Sequence, residues 1–308
     1  MTRVAYVGGV IRSGSTLLDR MLGELPGHVA VGELCYIWEH SVLLNHNCGC
    51  GEAFSECPFW TAVGEKAFGG WAAIDAQDVV ALQASVDTTR DIPRLLATRS
   101  SGDFARRVER YVDLLSNLYR GIADVAGARV VVDSSKHPGP AYLLRRAPDV
   151  DLRVVHIVRD PRGVANSLRK KVKRPEKDGF EEYMATWPAR TVARRWLTTN
   201  SLMSSLPRLR VPVTRVRYED LVVNPHAELS RVAVATDGPL APDALDFIQD
   251  GTVRLPSAHT LDGNPMRFTT GPMPLRPDEG WRTSLPDSDR RLVEVMTWPL
   301  RRAYGYRD

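Results

Sequence analysis

Gly9, four residues and Gly14 bracket a small-residue loop, Gly8-Gly9-Val10-Ile11-Arg12-Ser13-Gly14-Ser15-Thr16, between an apolar run and a helical pattern. The backbone N–H groups of such a loop and of the following helical turn converge on one point, where the helix dipole also favours an anion. The expected chemistry is phosphate binding. A nucleotide-kinase loop needs Gly-x4-Gly-Lys-Ser/Thr; here Ser15 stands in the lysine's place, and Arg12 is the loop's cation. The cradle can hold a phosphate but is poorly built to clamp a nucleoside triphosphate with its magnesium.

A second anion site is readable in Arg159-Asp160-Pro161-Arg162-Gly163-Val164-Ala165-Asn166-Ser167, which follows the apolar run 152–158. If a helix starts near Pro161, Arg159 and Ser167 face the same sheet edge, and a guanidinium beside a hydroxyl suits an anion. Asp160 and Pro161 read simply as the cap and first position of that helix. That reading leaves unexplained an arginine at the end of a buried strand. Two further groups could do acid–base or electrostatic work: Glu33, 21 residues after Arg12, and Lys136 in Asp133-Ser134-Ser135-Lys136-His137. Taken alone, Glu33 reads as a capping or surface carboxylate and Lys136 as a solvated loop lysine.

The elements needed to position these groups are strands at 4–11, 129–133, 152–158 and 213–218, and helices at 15–25, 103–125, 138–146, 161–171, 181–205 and 287–298. Strand–loop–helix repetition predicts an α/β fold, a P-loop-like doubly wound parallel sheet flanked by helices, with ligands at the carboxyl ends of the strands. Residues 48–102 show no comparable strand and contain Gly69-Gly70 and Ser100-Ser101-Gly102, so they read as an inserted cap. Residues 251–286, rich in Pro, Gly and Arg with little periodicity, read as a cofactor- or substrate-covering loop. A single domain over 1–308 accommodates both, and no internal repeat is present.

With 308 residues, 43% hydrophobic content and a net charge of +4, the chain reads as a globular protein with a large core and no bias toward nucleic acid. The run 4–11 is too short to span a membrane, and no signal peptide or anchor is visible, so a cytoplasmic location is expected. Cys48, Cys50 and Cys57 lie in one loop, with Cys35 just before it. Cys-x-Cys with one distant cysteine does not match the usual structural zinc spacings, so no metal is expected. Free thiols, a disulfide or plain packing remain.

The loop at 8–17 and the segment 159–167 together resemble the 5′-phosphate and 3′-phosphate motifs of sulfotransferases that use 3′-phosphoadenosine-5′-phosphosulfate (PAPS). Arg-Ser-Gly-Ser-Thr at 12–16 is similar to the tyrosylprotein and carbohydrate branches, as is the stretch VGGVIRSGSTLLDRML followed by VGEL. The likeness runs in patches from Val4 to Lys171 and on to Val216-Arg217-Tyr218-Glu219-Asp220-Leu221, and fades in the cysteine loop and the last third. It implies that Arg12, Ser13, Gly14, Ser15, Thr16 and Leu17 hold the 5′-phosphosulfate, with Arg12 near the bridging oxygen. It likewise implies that Arg159 and Ser167 hold the 3′-phosphate and that Lys171 and Tyr218 complete the nucleotide site.

The same resemblance makes Glu33 the catalytic base and Lys136 the stabiliser of the transition state. His137 is the rival base, because cytosolic members use a histidine near a lysine; there one residue separates the two, whereas here they are adjacent. The late segment around Arg267 and Phe268, followed by Arg276 and Trp281, looks like the carboxyl-terminal nucleotide-closing loop. The implied activity is in-line sulfuryl transfer to an acceptor hydroxyl, most simply on a small molecule, natural product, glycan or phenol, leaving 3′-phosphoadenosine-5′-phosphate (PAP). A P-loop nucleotide kinase and a non-catalytic nucleotide-binding module are the alternatives.

Overall fold

The computed structural model describes residues 1–97, 102–173 and 183–307. Strands β1 (Thr2–Gly9), β2 (His28–Gly32), β3 (Val130–Lys136), β4 (Val150–Val158) and β5 (Val213–Arg217) form an all-parallel sheet in the order β2-β3-β1-β4-β5. The chain fills one side of β1 first and then crosses to the other. The loop leaving β1 therefore sits at the switch point where open α/β sheets collect ligands.

Alternation along the strands explains why both faces are covered. Val4 and Tyr6 of β1, Val131 of β3 and Leu152 and Val154 of β4 enter one core. Ala5, Val7, Val130, Val132, Val155 and Ile157 enter the other. Strands buried on both faces read as nearly continuous apolar runs, as these do.

Helices α1 (Ser15–Gly23), α2 (Pro58–Phe68), α3 (Ala76–Val86), α4 (Ile92–Leu96), α5 (Asp103–Ala126) and α6 (Pro138–Leu144) lie within the first half of the chain. All but α1 belong to the Val4/Tyr6 side. There α5 buries Phe104, Val108, Tyr111, Val112, Leu115, Leu118, Tyr119 and Ile122, one stripe at three- and four-residue spacing. Helix α1 packs on the opposite face.

The second half supplies α7 (Pro161–Arg169), α8 (Ala189–Ser205), α9 (Tyr218–Val223), α10 (Pro225–Thr236), α11 (Trp281–Ser284) and α12 (Asp287–Ala303). A third cluster around Trp196, Trp281, Val293 and Tyr304 joins α7, α8, α11 and α12. Among the described residues no helix is long and apolar enough to cross a membrane.

The doubly wound parallel sheet with flanking helices and an inserted region is as the sequence predicts, and several elements differ in detail. Strand β2, His28–Gly32, follows directly on Pro26-Gly27 and is not among the strands expected from the sequence. Residues 251–286 are not structureless: β7 (Thr252–Leu255) and β8 (Gly271–Pro274) lie within them and, with β6 (Ile248–Gln249) just before, form an antiparallel sheet in the order β6-β7-β8. The edge position of β8 tolerates Pro272 and Pro274, which a central strand would not.

The helix expected over 181–205 begins at Ala189; residues 181 and 182 lie outside the described residues, as do 98–101 of the expected cap. Helix α12 continues through Pro299 to Ala303, because its last turns bury Thr297 and Arg301.

Ile157 is fully buried on β4, the strand that ends at the candidate site. Ile157→Ala should lower unfolding free energy by about 2–5 kcal/mol in urea titrations. Arg110→Ala, which removes only an exposed ion pair with Asp78, should cost less than about 1 kcal/mol.

Candidate active site

At the carboxyl edge of the sheet a cavity of about 780 Å³ is lined by residues of the β1 loop, the ends of β3 and β4, and the late segment. Its size is that of a ligand pocket.

The β1 loop forms its floor. Gly14 sits at φ +88°, and a Cβ there would stand 2.4 Å from Tyr218 Cδ2, so only glycine lets the Tyr218 ring close over the loop. The first helical hydrogen bond runs from Leu18 N to Gly14 O at 3.0 Å, so the N–H groups of Ser15, Thr16 and Leu17 have no acceptor within the helix. Ser13 Oγ is buried with no hydrogen-bond partner. A glycine-tight cradle with unspent donors is what a bound phosphate requires.

The second anion segment abuts the first. Arg159, at the end of β4, donates from Nη1 to Arg12 O at 2.8 Å and from Nη2 to Asp278 Oδ2 at 2.6 Å, with its guanidinium 4.7 Å from the centre of the Tyr218 ring. Trp196 Nε1 donates to the Arg159 carbonyl at 2.9 Å, fixing the strand end. Ser167 Oγ accepts from Arg12 Nε at 2.9 Å. Asp160 also caps α7, accepting from Arg162 N at 2.8 Å. The capping reading of Asp160 thus holds, and the same segment brings Arg159 and Ser167 against Arg12 of the β1 loop. Burial, reinforced by Arg159, lowers the Arg12 pKa. The Arg12 side chain is thus engaged with the second anchor rather than free in the first loop.

Glu33 and Lys136 meet as an ion pair, with only 8% and 7% of their side chains exposed. Neither is the solvated group that each looks like in isolation. Lys136 adopts φ +70°, sparsely populated for a residue with a side chain. Its turn is held by Asp133, which accepts from Ser135 N at 2.8 Å, Ser135 Oγ at 2.5 Å and Tyr119 OH at 2.5 Å. Glu33 is fixed from the other side: its N–H donates to Leu261 O at 2.8 Å, and Gly263, at φ +98°, packs where a Cβ would lie 2.7 Å from Glu33 Oε1. Burial raises the Glu33 pKa, Lys136 opposes the rise, and Asp262 and Asp133 add to it; the net direction is up.

His137 also lines the cavity, with Nε2 3.2 Å from Tyr36 OH. Burial first, then Lys136 and Arg195, depress its pKa to about 4. The imidazole is a weak proton acceptor there.

Arg12, Gly14, Ser15, Thr16, Leu17, Glu33, Lys136, Arg159, Ser167 and Tyr218 line this one cavity. Four of the nucleotide-site residues singled out from sequence do not: Ser13, which lies buried under the loop, Lys171, Arg267 and Phe268. Arg267 is buried, donating to Thr260 O at 2.7 Å and Asn47 O at 2.8 Å and stacking on Phe268 at 4.1 Å. Carbonyl acceptors turn it inward, so Arg267 and Phe268 brace the late segment from behind. Lys171 is exposed, 6.0 Å from the Tyr183 ring, just past the end of α7.

Sequence reasoning missed Tyr36, His40, Asn264 and Asp278, which line the cavity. Tyr36 and His40 stand in and beside a wide π-type turn, Ile37–Leu43, a feature often found at functional sites. Nothing local in the sequence marks Asn264 or Asp278.

The family model described as "Sulfotransferase family" matches residues 5–242. Carbohydrate sulfotransferase 3 of Homo sapiens is 27% identical over 175 residues, which are 53% of this chain and 35% of that protein; the match thus spans about a third of the relative. Among solved structures, the sulfotransferase domain from the Curacin biosynthetic pathway covers 97% of this chain and 98% of its own, at 19% identity and a TM-score of 0.50, a likeness of fold. The sulfotransferase domain of the Synechococcus PCC 7002 olefin synthase covers 96% and 94%, at 18% identity and a TM-score of 0.48. The model match takes in both anion segments, Glu33 and Lys136, and extends over most of the sequence: this chain belongs to the sulfotransferase family.

Proposed function

We propose that the chain transfers a sulfuryl group from PAPS to the hydroxyl of a small-molecule, natural-product, glycan or phenolic acceptor, as a single domain of the tyrosylprotein/carbohydrate branch. The observation that carries this reading is the buried Glu33–Lys136 pair in the same cavity as two anion anchors. A bisphosphate nucleotide requires two anchors, and a module that only bound it would need neither member of the pair. The orphaned Ser13 hydroxyl and the Gly14 cradle fit a 5′-phosphosulfate, and Arg159 with Ser167 fit a 3′-phosphate.

PAPS supplies an activated sulfur whose bond to the 5′-phosphate oxygen breaks as the acceptor oxygen bonds to it. Glu33 takes the acceptor's proton. Its raised pKa makes it a better base than His137, whose pKa is depressed. Lys136 offers positive charge to the departing phosphate oxygen, and Arg12, released from Ser167, adds a second donor there. Tyr36, His40, His137 and Arg195 line the same cavity and are the groups this reading assigns to the acceptor.

Calorimetry with PAP, paired with turnover of PAPS on an acceptor panel, separates binding from chemistry. Arg159→Ala and Ser167→Ala should weaken PAP binding, whereas Lys136→Ala should bind PAP normally and lose about 10²–10³ in kcat. Magnesium-dependent ATP turnover without PAPS turnover would instead establish the kinase alternative.

The pH dependence follows from the Glu33 environment. The base works only when ionised, so activity should rise with pH through a limb lying above the ordinary glutamate value of about 4.3. Glu33→Gln should remove that limb along with most of the turnover. Full activity in Glu33→Gln would overturn the assignment.

A further inference from the structure

Three cysteines and one histidine converge on a single point away from the cavity. Cys48, Cys50 and Cys57 come from the loop before α2, and His259 comes from the segment after β7, 202 residues beyond Cys57. Their ligand atoms all lie within 4.8 Å of one another: Cys50 Sγ to Cys57 Sγ is 3.8 Å, Cys57 Sγ to His259 Nδ1 is 3.2 Å, and Cys48 Sγ to His259 Nδ1 is 3.7 Å. A tetrahedral ion with Zn–S bonds of about 2.3 Å and a Zn–N bond of about 2.0 Å separates its sulfurs by roughly 3.8 Å and sulfur from nitrogen by roughly 3.5 Å. A disulfide would need about 2.05 Å, and all four cysteines of the chain are free.

The surroundings hold this geometry rather than merely filling space. Cys48 and Cys57 are fully buried. The Phe59 ring stacks on His259 at 4.9 Å and 10°, and Trp60 Nε1 donates to the His259 carbonyl at 3.0 Å. Cys48 N donates to Glu52 O at 2.8 Å, and Gly51 N to Cys48 O at 2.9 Å, folding the cysteine loop into a knuckle. Gly49 N donates to Thr260 O at 2.8 Å, tying that knuckle to the histidine segment. None of the four residues lines the cavity. Plain packing would account for buried thiols, but not for three sulfurs and an imidazole nitrogen meeting at the spacing of a coordination shell.

We propose that Cys48, Cys50, Cys57 and His259 bind one zinc ion as a closed Cys3His structural site. The sequence expectation of no metal is thereby reversed, because it was formed without the fourth ligand. Four protein ligands leave no open position, so the ion is structural. The three thiols bind as thiolates and release their protons to solvent; no electron is transferred. The ion fastens the cysteine loop to the segment that runs on through Leu261 and Gly263 to Glu33, and so clamps the strap that holds the base.

The test uses the full chain, purified under reducing conditions without added metal, and elemental analysis. One zinc per chain is expected. Cys57→Ser and His259→Ala should fall below a tenth of that, while Cys35→Ser, which leaves all four ligands in place, keeps it. Should a ligand variant fail to fold, the wild-type chain is stripped with chelator, kept reduced and titrated with cobalt(II). The visible bands of tetrahedral cobalt thiolate should appear at one equivalent and vanish on adding zinc. Wild-type protein that lacks metal and gives no such bands would overturn the proposal. So would zinc retained in folded Cys57→Ser, or a native Cys50–Cys57 disulfide, lighter by two hydrogens.

Discussion

The hydrogen bond from the Arg159 guanidinium to the carbonyl of Arg12 is the join on which the site depends. It ties the loop leaving β1 to the end of β4, two strands that neighbour each other only because the chain crosses over at β1. Arg12 answers from the other direction by donating to Ser167. Two arginines are thereby held close, and burial first, then Arg159, pushes the Arg12 pKa down. The sheet fixes the backbone positions, and Asp278 offsets part of the charge. A rigid scaffold that tolerates clustered positive charge is preorganised for a polyanion, which would relieve the repulsion on binding.

A comparable tension lies in the Glu33–Lys136 pair. Burying two charges costs desolvation that their attraction only partly returns, so the pair is weak evidence for a stabilising role. Lys136 also carries an unfavourable backbone conformation, and a buried Asp133 with three donors is spent on holding its turn. Strain and buried charge gathered at one strand end are the pattern of a site kept for chemistry rather than for the fold.

What the sequence makes legible is whatever is local. The β1 loop, the strand-end arginine and the hydroxyl eight residues later each lie within one strand–loop–helix unit, so spacing alone brings their groups together. Glu33 needed the family resemblance, because its carboxylate looks like any other until β3 brings Lys136 to it. Strands β7 and β8 have four residues each, too few for a period to stand out. Arg267 shows the limit most clearly. Its charge and its place in the chain suit the nucleotide site, yet two backbone carbonyls compete for the guanidinium and turn it away. Such competition is set by long-range register, which one sequence does not display.

The late segment then explains how distant parts of the chain reach the same angström scale at Glu33. Arg20, buried in α1, donates to the carbonyls of Pro256 at 2.7 Å, Met266 at 2.8 Å and Thr269 at 2.6 Å. The helix whose amino end lines the floor of the cavity therefore also grips, from its last turn, the strap that carries Leu261 and Gly263 against Glu33. Arg267 braces that strap on the cysteine-loop side. One short helix thus borders the β1 loop at its amino end and, from its last turn, holds the strap that packs against Glu33. For the proposed sulfuryl transfer such rigidity matters, because a misplacement of about 1 Å at the reacting centre can cost a hundredfold in rate.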